Sequence, residues 1–240
     1  MNLLILDAGH AKNTSGKRNE KENFYEWEFN NDMQYKIKSR CEELGITVFL
    51  TNPNPQNVSD IALGVRAKLA NDYWIKNNKC KSIFISLHAN AFSNSNVRGT
   101  ETYHAGNASN TSKNFAKVLN DNIVKVMKEL DPASKDRGVK SENFTVIYKA
   151  SMPSVLVEYG FYSNLDDLKV LNNNKDELVE ATVKAVCSYF GVTYKEKTEP
   201  IIDGNLYAVC VGAYKDKNKA NNIVEELKRK GYTSTYLIPR

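Results

Sequence analysis

The sequence predicts an α/β fold with a mostly parallel, twisted open sheet and helices on both faces. Two observations predict it. Short apolar runs typical of buried strands occur along the chain, and they alternate with longer segments whose apolar residues recur at helical spacing. A chain of 240 residues is long enough for one full domain and a small appendage.

Strands are predicted where apolar runs lie between polar segments. The predicted strands are residues 3–6, 46–50, 83–87, 99–104, 146–148 and 155–157. The stretch 11–24 is polar and rich in Gly, Asn and Lys, so it is predicted to be a loop.

Helices are predicted where apolar residues repeat every three or four positions. The first starts at Glu26 and ends at Gly45, with Phe29, Met33, Ile37, Cys41 and Leu44 on its apolar side. The second has Ser59 as its N-cap and Ile61, Val65, Leu69 and Tyr73 inward. Two more cover residues 111–130 and 175–190, and Gly191 ends the last of them.

The C-terminal part of the sequence predicts a separate unit. Residues 1–191 form the predicted main domain, 192–204 a charged linker with Pro200, and 205–240 a βαβ unit. Its strands are predicted at 206–211 and 232–238. Its helix, 216–230, places Ala220, Ile223, Val224 and Leu227 inward. So small a unit cannot bury a stable core alone, and it should need a second copy, a partner or the main domain.

Three residues that can bind metal or carry protons follow predicted strands. His10 comes after the run 3–6, His88 after 83–87, and Glu158 after 155–157. In a parallel sheet the carboxyl ends of the strands line one crevice, so these residues are expected to converge. Small neighbours such as Gly9 leave room for the imidazoles, and a glutamate ending a buried strand is costly unless it is paired or functional. The pattern indicates a metal-dependent hydrolase.

A third ligand is expected from the acidic residues after His10. The candidates are Glu20, Glu22, Glu26 and Glu28. Glu26 opens the first helix, close to the loop leaving His10, but spacing alone does not choose between Glu26 and Glu22. The remaining histidine, His104, ends a short β-like segment and is interpreted as a surface residue or as a support behind a ligand.

Composition and the N-terminal sequence limit which partners the chain binds and where it is made. A net charge of +5 suits a polyanionic partner, yet no arginine-rich stripe with interleaved aromatics supports nucleic acid. No apolar run is long enough to span a membrane. The cysteines are scattered, which argues against a cysteine metal site. The N-terminus resembles a first strand rather than a signal peptide, so synthesis in the cytoplasm is expected.

Four segments together resemble a known family. They are LDAGH at 6–10, SLHAN at 86–90, RGVK at 137–140 and PSVLVEYGFYSN at 153–164. The chain resembles, over about residues 1–191, the zinc-dependent N-acetylmuramoyl-L-alanine amidases of the amidase-3 family, which include bacterial autolysins and phage endolysins. The sequence departs from the family at Ala11, where glycine is usual, and in the divergent loop 11–24.

The resemblance implies a site and an activity. It implies that Zn²⁺ is held by His10, Glu26 and His88, and that Glu158 is the catalytic residue. It implies hydrolysis of the amide bond between N-acetylmuramic acid and L-alanine in peptidoglycan, after release by a holin or by cell lysis. A zinc peptidase that cuts the stem peptide, and a wall-binding module without activity, are the alternatives.

The C-terminal segment resembles one half of a SPOR-type peptidoglycan-binding domain. The likeness rests on the V-G-A-Y turn, on the Asn-Lys-Ala helix start and on the Gly-Tyr that follows the helix. Because such domains contain two βαβ units and this chain supplies one, the resemblance suggests a homodimer in which two copies of the unit pair.

Overall fold

The computed structural model describes residues 1–56, 60–197, 216–232 and 235. The chain divides into two compact units, Met1–Tyr194 and Lys195–Arg240, which are treated separately below. No helix in these described ranges is both long enough and apolar enough to cross a bilayer.

Eight strands and six helices build the first unit, in the part of it that is described. The strands are β1 Asn2–Ala8, β2 Arg18–Asn19, β3 Phe24–Tyr25, β4 Thr47–Leu50, β5 Lys81–Asn90, β6 Thr100–His104, β7 Asp136–Ser141 and β8 Ser154–Phe161. The helices are α1 Glu26–Glu43, α2 Leu63–Lys76, α3 Asn110–Leu130, α4 Thr145–Tyr148, α5 Leu165–Asn173 and α6 Lys175–Phe190.

Six of the strands form one mixed sheet in the order β4-β1-β5-β8-β6-β7. Every neighbouring pair is parallel except β6 and β8, which are antiparallel. The predicted α/β fold with a mostly parallel sheet is therefore confirmed. Because β6 runs against β8, the start of β6 lies beside the end of β8, and this places β6 residues at the edge where β1 and β5 end.

Alternating residues of the strands face two different hydrophobic cores. In β1, Leu4 and Leu6 belong to the larger cluster with residues of α1, α3 and α6, whereas Leu3 and Ile5 belong to a smaller cluster with residues of α2 and α4. This two-residue period is what a sheet covered on both faces requires. The predicted inward residues of α1 are buried from Phe29 to Cys41, and Gly45 adopts φ 77° just after the helix.

The predicted inward face of α2 is wrong at Val65 and Leu69, which are exposed (48% and 38%), whereas Tyr73 packs against the smaller core as predicted. The buried residues of the helix are Arg66, Ala67 and Ala70. The reason is Asp7, a fully buried carboxylate of β1, whose Oδ2 lies 3.1 Å from Nη1 of Arg66. A buried charge needs a partner, so the helix turns its arginine inward. The helix begins at Leu63, and the predicted N-cap Ser59 lies outside the described residues.

Other differences concern short segments. The predicted strand 146–148 is the short helix α4, and a short apolar run does not distinguish the two structures. The predicted loop 11–24 contains the two-stranded pair of β2 and β3. Strand β7 and helix α5 were not predicted. His88 and Glu158 lie within β5 and β8 rather than after them, because both strands run longer than their apolar runs.

The second unit is described mainly by one helix, α7, Lys217–Arg229. Asp216 caps it, because its side chain accepts hydrogen bonds from the backbone N–H groups of Asn218 and Lys219. Its half-buried residues are the predicted inward ones, Ala220, Ile223, Val224 and Leu227. The predicted strand 206–211 lies outside the described residues, as does most of 232–238.

Candidate active site

The first carboxylate–imidazole cluster joins three segments that are distant in sequence. His10 follows β1, Glu26 is the first residue of α1, and His88 lies in β5. Oε1 of Glu26 is 3.3 Å from Nε2 of His10 and 3.0 Å from Nδ1 of His88. One ligand atom from each of the three residues lies within 4.8 Å of the others. The structure thus brings the three proposed metal ligands together.

Gly9 makes room for this cluster. A Cβ atom at residue 9 would lie 2.1 Å from Cε1 of His88, a distance that real Cβ contacts do not reach. The expectation that this glycine leaves space for an imidazole is borne out by the packing. Any side chain here would displace the His88 ring.

Buried amides hold the backbone that carries His10. His10 adopts φ 66°, in the left-handed region that non-glycine residues rarely occupy. Nδ2 of Asn52 donates to the carbonyl oxygens of Ala8 and His10, both at 3.0 Å, and Nδ2 of Asn30 donates to that of Gly9 at 3.0 Å. The strained residue is therefore fixed by hydrogen bonds on consecutive carbonyls.

Glu26, not Glu22, reaches the histidines. Glu26 is 2% exposed, whereas Glu20, Glu22 and Glu28 are exposed to solvent. Burial raises the pKa of Glu26, but hydrogen bonds from His10 and His88 outweigh it and lower the pKa to about 2. Burial lowers the pKa of His88. The result is an ionised carboxylate beside a neutral imidazole, the protonation states in which these groups bind metals.

The donor set fits a zinc ion. Two imidazole nitrogens and one carboxylate oxygen form a common three-ligand set of catalytic zinc sites, in which a fourth position is left open. The cluster is compact and largely shielded from solvent. These three residues could therefore hold a metal ion.

Glu158 lies beside the cluster on the neighbouring strand. It is in register with His88 of β5 on one side and with Glu101 of β6 on the other. Its Oε2 is buried and has no hydrogen-bond partner within the described residues. Burial raises the pKa of Glu158 well above its usual value, and the negative charges of Glu26 and Glu101 raise it further. Lys17 offsets part of this rise.

A second buried carboxylate, Glu101, was not singled out from the sequence. Its side chain is 3% exposed, and both of its oxygens are fully engaged. Oε1 accepts hydrogen bonds from Nδ2 of Asn90 (2.8 Å) and the hydroxyl of Tyr103 (2.7 Å). Oε2 accepts from Nε of Arg137 (2.6 Å) and from Nζ of Lys140. Burial raises the pKa of Glu101, but these donors, Lys140 first, lower it below its usual value.

A β-bulge in β7 lets Arg137 and Lys140 of the RGVK segment point to the same side of the sheet. Arg137 and Lys140 are three residues apart, so in a regular strand they would point to opposite faces. Between Thr100 and Thr102 the register of β6 advances by two residues, while that of β7 advances by three, from Asp136 to Val139. The extra residue is accommodated at Gly138, which adopts φ 76°. Both cations therefore reach the same oxygen of Glu101.

Two further residues complete the surroundings. Oδ2 of Asp60 lies 3.8 Å from Nδ1 of His10, on the side of the ring opposite Glu26, and accepts a hydrogen bond from Oγ1 of Thr14 (2.7 Å). His104 is half-buried at the end of β6, its Nδ1 lies 2.9 Å from the carbonyl oxygen of Ala105, and it is not part of the cluster.

The three described cysteines are not part of this cluster. Cys41 and Cys187 are buried and Cys80 is half-buried, all three as free thiols. Cys210 lies outside the described residues.

Comparison with known proteins decides the family. The sequence matches the family model described as N-acetylmuramoyl-L-alanine amidase (Amidase_3) over residues 4–188. This chain belongs to that family. The match spans the six-stranded sheet except the first two residues of β1, and it contains every residue of the site described above.

Curated relatives agree with this assignment. The chain is 32% identical over 198 residues to an uncharacterized cell wall amidase of Bacillus anthracis. It is 29% identical over 198 residues to the N-acetylmuramoyl-L-alanine amidase LytC of Bacillus subtilis. Each alignment covers 78% of this chain but 35% of the relative, so the chain corresponds to about a third of those proteins.

Solved structures of amidases share the fold. The catalytic domain of CwlV, an N-acetylmuramoyl-L-alanine amidase from Bacillus (Paenibacillus) polymyxa, is 29% identical with a TM-score of 0.68; the match covers 80% of this chain and all of that one. An N-acetylmuramoyl-L-alanine amidase from Clostridium difficile is 28% identical with a TM-score of 0.67, covering 79% and 96%. The uncovered part of this chain is about the size of the second unit.

Proposed function

We propose that this chain is a zinc-dependent amidase that cleaves the amide bond between N-acetylmuramic acid and L-alanine in peptidoglycan. The observation that carries the proposal is the cluster of His10, Glu26 and His88, with Glu158 in register beside it. Membership of the amidase family, over a match that contains all four residues, supports the substrate class.

The metal ligands have distinct tasks. His10, Glu26 and His88 would hold Zn²⁺, which when bound supplies Lewis acidity and lowers the pKa of water toward neutrality. Oε1 of Glu26 lies close to a nitrogen of each ring, so the three ligand atoms are already grouped. Oδ2 of Asp60 lies 3.8 Å from the other nitrogen of His10, beyond hydrogen-bond distance, and its negative charge would favour the tautomer with the proton on that nitrogen.

Glu158 is suited to carry the proton. A general base works best when its pKa lies near the working pH, and burial together with two neighbouring carboxylates raises the pKa of Glu158. Its unpartnered Oε2 is available to take a proton from the attacking water. The same oxygen then delivers that proton to the L-alanine nitrogen as the amide bond breaks.

Mass analysis of digested cell wall tests the reaction. Purified peptidoglycan incubated with the zinc-loaded chain should yield free glycan strands and intact stem peptides with a new amino group on L-alanine. Shortened stem peptides would instead support the zinc peptidase, and wall binding without any release would support the inactive module. Omission of zinc after treatment with a chelator is the control.

The second unit is proposed to bind the wall. Residues 205–240 would form a half-SPOR-like unit that pairs with the same unit of a second copy, giving a homodimer. The half-buried residues Ala220, Ile223, Val224 and Leu227 support an inward, packing role for one side of α7. Light scattering of the full chain should give the mass of a dimer, and a monomer at high concentration would contradict the pairing.

The setting of the activity is also a proposal. The chain is 35% identical over 100 residues, or 41% of its length, to an endolysin of Bacillus phage SPP1. This likeness supports action on the cell wall after holin- or lysis-dependent release, either as a phage lysin or as an autolysin.

A further inference from the structure

A row of side chains crosses the sheet from the metal-binding cluster to the edge strand. His88 on β5, Glu158 on β8 and Glu101 on β6 are opposite one another in register, so their side chains share one face. Neighbouring strands lie about 4.8 Å apart, which puts Glu101 roughly 10 Å from His88. Arg137 stands next in the row, since its Nε is 2.6 Å from Oε2 of Glu101.

The guanidinium of Arg137 has N–H groups that its contact with Glu101 does not use. Its contact with Glu101 uses Nε, and within the described residues neither terminal nitrogen of the guanidinium makes a hydrogen bond. The side chain is 32% exposed. Its Cζ lies 4.9 Å from the ring centre of Phe161, which supports one side of the guanidinium plane. A guanidinium held in this way presents its remaining N–H groups as a fork that suits a carboxylate.

The local charge favours an anion as well. Glu101 is the partner of two cations, Arg137 and Lys140, so the three groups together carry one positive charge. A carboxylate that arrives at the exposed side of Arg137 therefore meets net attraction rather than repulsion.

We propose that Arg137 binds the free carboxylate of the second stem-peptide residue and so sets a preference for substrates in which that group is not amidated. The inference rests on the proposed function. Glu158 delivers a proton to the leaving nitrogen, so the peptide leaves on the Glu158 side and continues toward Glu101 and Arg137. An extended chain advances roughly 3.3–3.6 Å per residue, so a carboxylate on the second residue comes within reach of the guanidinium.

A pair of substrates and a pair of variants test this specificity. The substrates are N-acetylmuramoyl peptides that are identical except for a free or an amidated carboxyl group on the second residue. The variants of the full chain are Arg137→Gln and, as a matched control, Lys140→Gln, which removes the other cation from the same oxygen of Glu101. Arg137→Lys keeps the charge but loses the fork.

The wild-type chain should cleave the free-carboxylate substrate with a kcat/KM about 10- to 100-fold above that for the amidated one, mainly through KM. Arg137→Gln should abolish the preference, and Arg137→Lys should retain only part of it. Lys140→Gln should lower both rates in proportion and leave their ratio unchanged. If Arg137→Gln lowers both rates equally, the residue acts only through Glu101 and the proposed carboxylate site is wrong.

Binding separates this proposal from the reaction on which it rests. Calorimetry with the zinc-loaded Glu158→Gln variant should show tighter binding of the free-carboxylate peptide, and loss of the difference when Arg137→Gln is added. Discrimination in binding without any cleavage by the wild-type chain would overturn the amidase proposal and uphold the carboxylate site. Cleavage of both peptides without discrimination would overturn only the carboxylate site.

Discussion

The two carboxylates that flank Glu158 show how neighbours control the state of a buried acid. Glu26 and Glu101 are both 2% exposed, yet hydrogen bonds and opposite charges lower the pKa of each, through His10 and His88 in one case and Lys140, Arg137 and Tyr103 in the other. Glu158 lies between them without such partners, and its pKa is raised. Glu26 and Glu101 thus stay ionised, whereas Glu158 between them has the raised pKa that suits a residue exchanging a proton.

Replacement of the central residue should have the largest effect. Glu158→Gln keeps the shape but cannot exchange a proton, so peptidoglycan hydrolysis should fall by about 10²- to 10⁴-fold. Zinc affinity, measured by competition with a chelating dye, should stay close to that of the wild type. Glu22→Gln, at an exposed glutamate, is the matched control and should retain activity. An active Glu158→Gln variant would show that the assigned role is wrong.

A substitution at Gly9 tests the packing of the histidine ligands without changing Glu158 or Glu101. Gly9→Ala places a Cβ 2.1 Å from Cε1 of His88, so the ring must move and zinc affinity should fall by roughly 10- to 100-fold. Gly64→Ala is the control, because the nearest atom to its Cβ would be the flexible end of Lys149 at 3.7 Å. Equal zinc affinities for the two variants would contradict the packing argument.

The negative charge of Glu101 can be removed by a substitution that keeps the shape of the side chain. Glu101→Gln removes a negative charge that raises the pKa of Glu158, so that pKa should fall. Since Glu158 must be ionised to take a proton, the acidic limb of the kcat/KM profile should move to lower pH, by about one unit. A pH–rate profile measures the shift, and a limb that stays in place would remove Glu101 from the tuning of Glu158.

The smallest effect is expected from Asp60. Asp60→Asn removes the negative charge near Nδ1 of His10 but keeps the size of the side chain. Zinc affinity should fall by a few-fold to about tenfold, because the ligand ring is held less firmly. Thr14→Val is the control, since it removes the hydrogen bond to Asp60 and leaves the carboxylate. If Thr14→Val weakens zinc binding as much as Asp60→Asn, the loop rather than the carboxylate positions His10.

Much of the fold and part of the site could be predicted from local pattern. Helix α1 begins and ends as its apolar spacing and Gly45 indicate, and the strands that carry His88 and Glu158 follow their apolar runs. The same reasoning gave wrong inward residues for helix α2, because the buried Asp7 of β1 is paired with Arg66 and turns that residue inward. A buried charge needs a partner of opposite charge, and the spacing of apolar residues in the helix does not reveal that its arginine is that partner.

The sequence by itself determined the fold class and that His10, His88 and Glu158 lie in or just after strands, because two-residue and helical periods are local properties of the chain. Spacing did not choose between Glu26 and Glu22, and the resemblance only implied Glu26; the tertiary structure places Glu26 against the histidines, since that depends on burial at a helix end. It alone revealed the Glu101 cluster, which needs the antiparallel register of β6 with β8 and the bulge at Gly138. Contacts between strands are set by register and packing, and neither is written in any single segment.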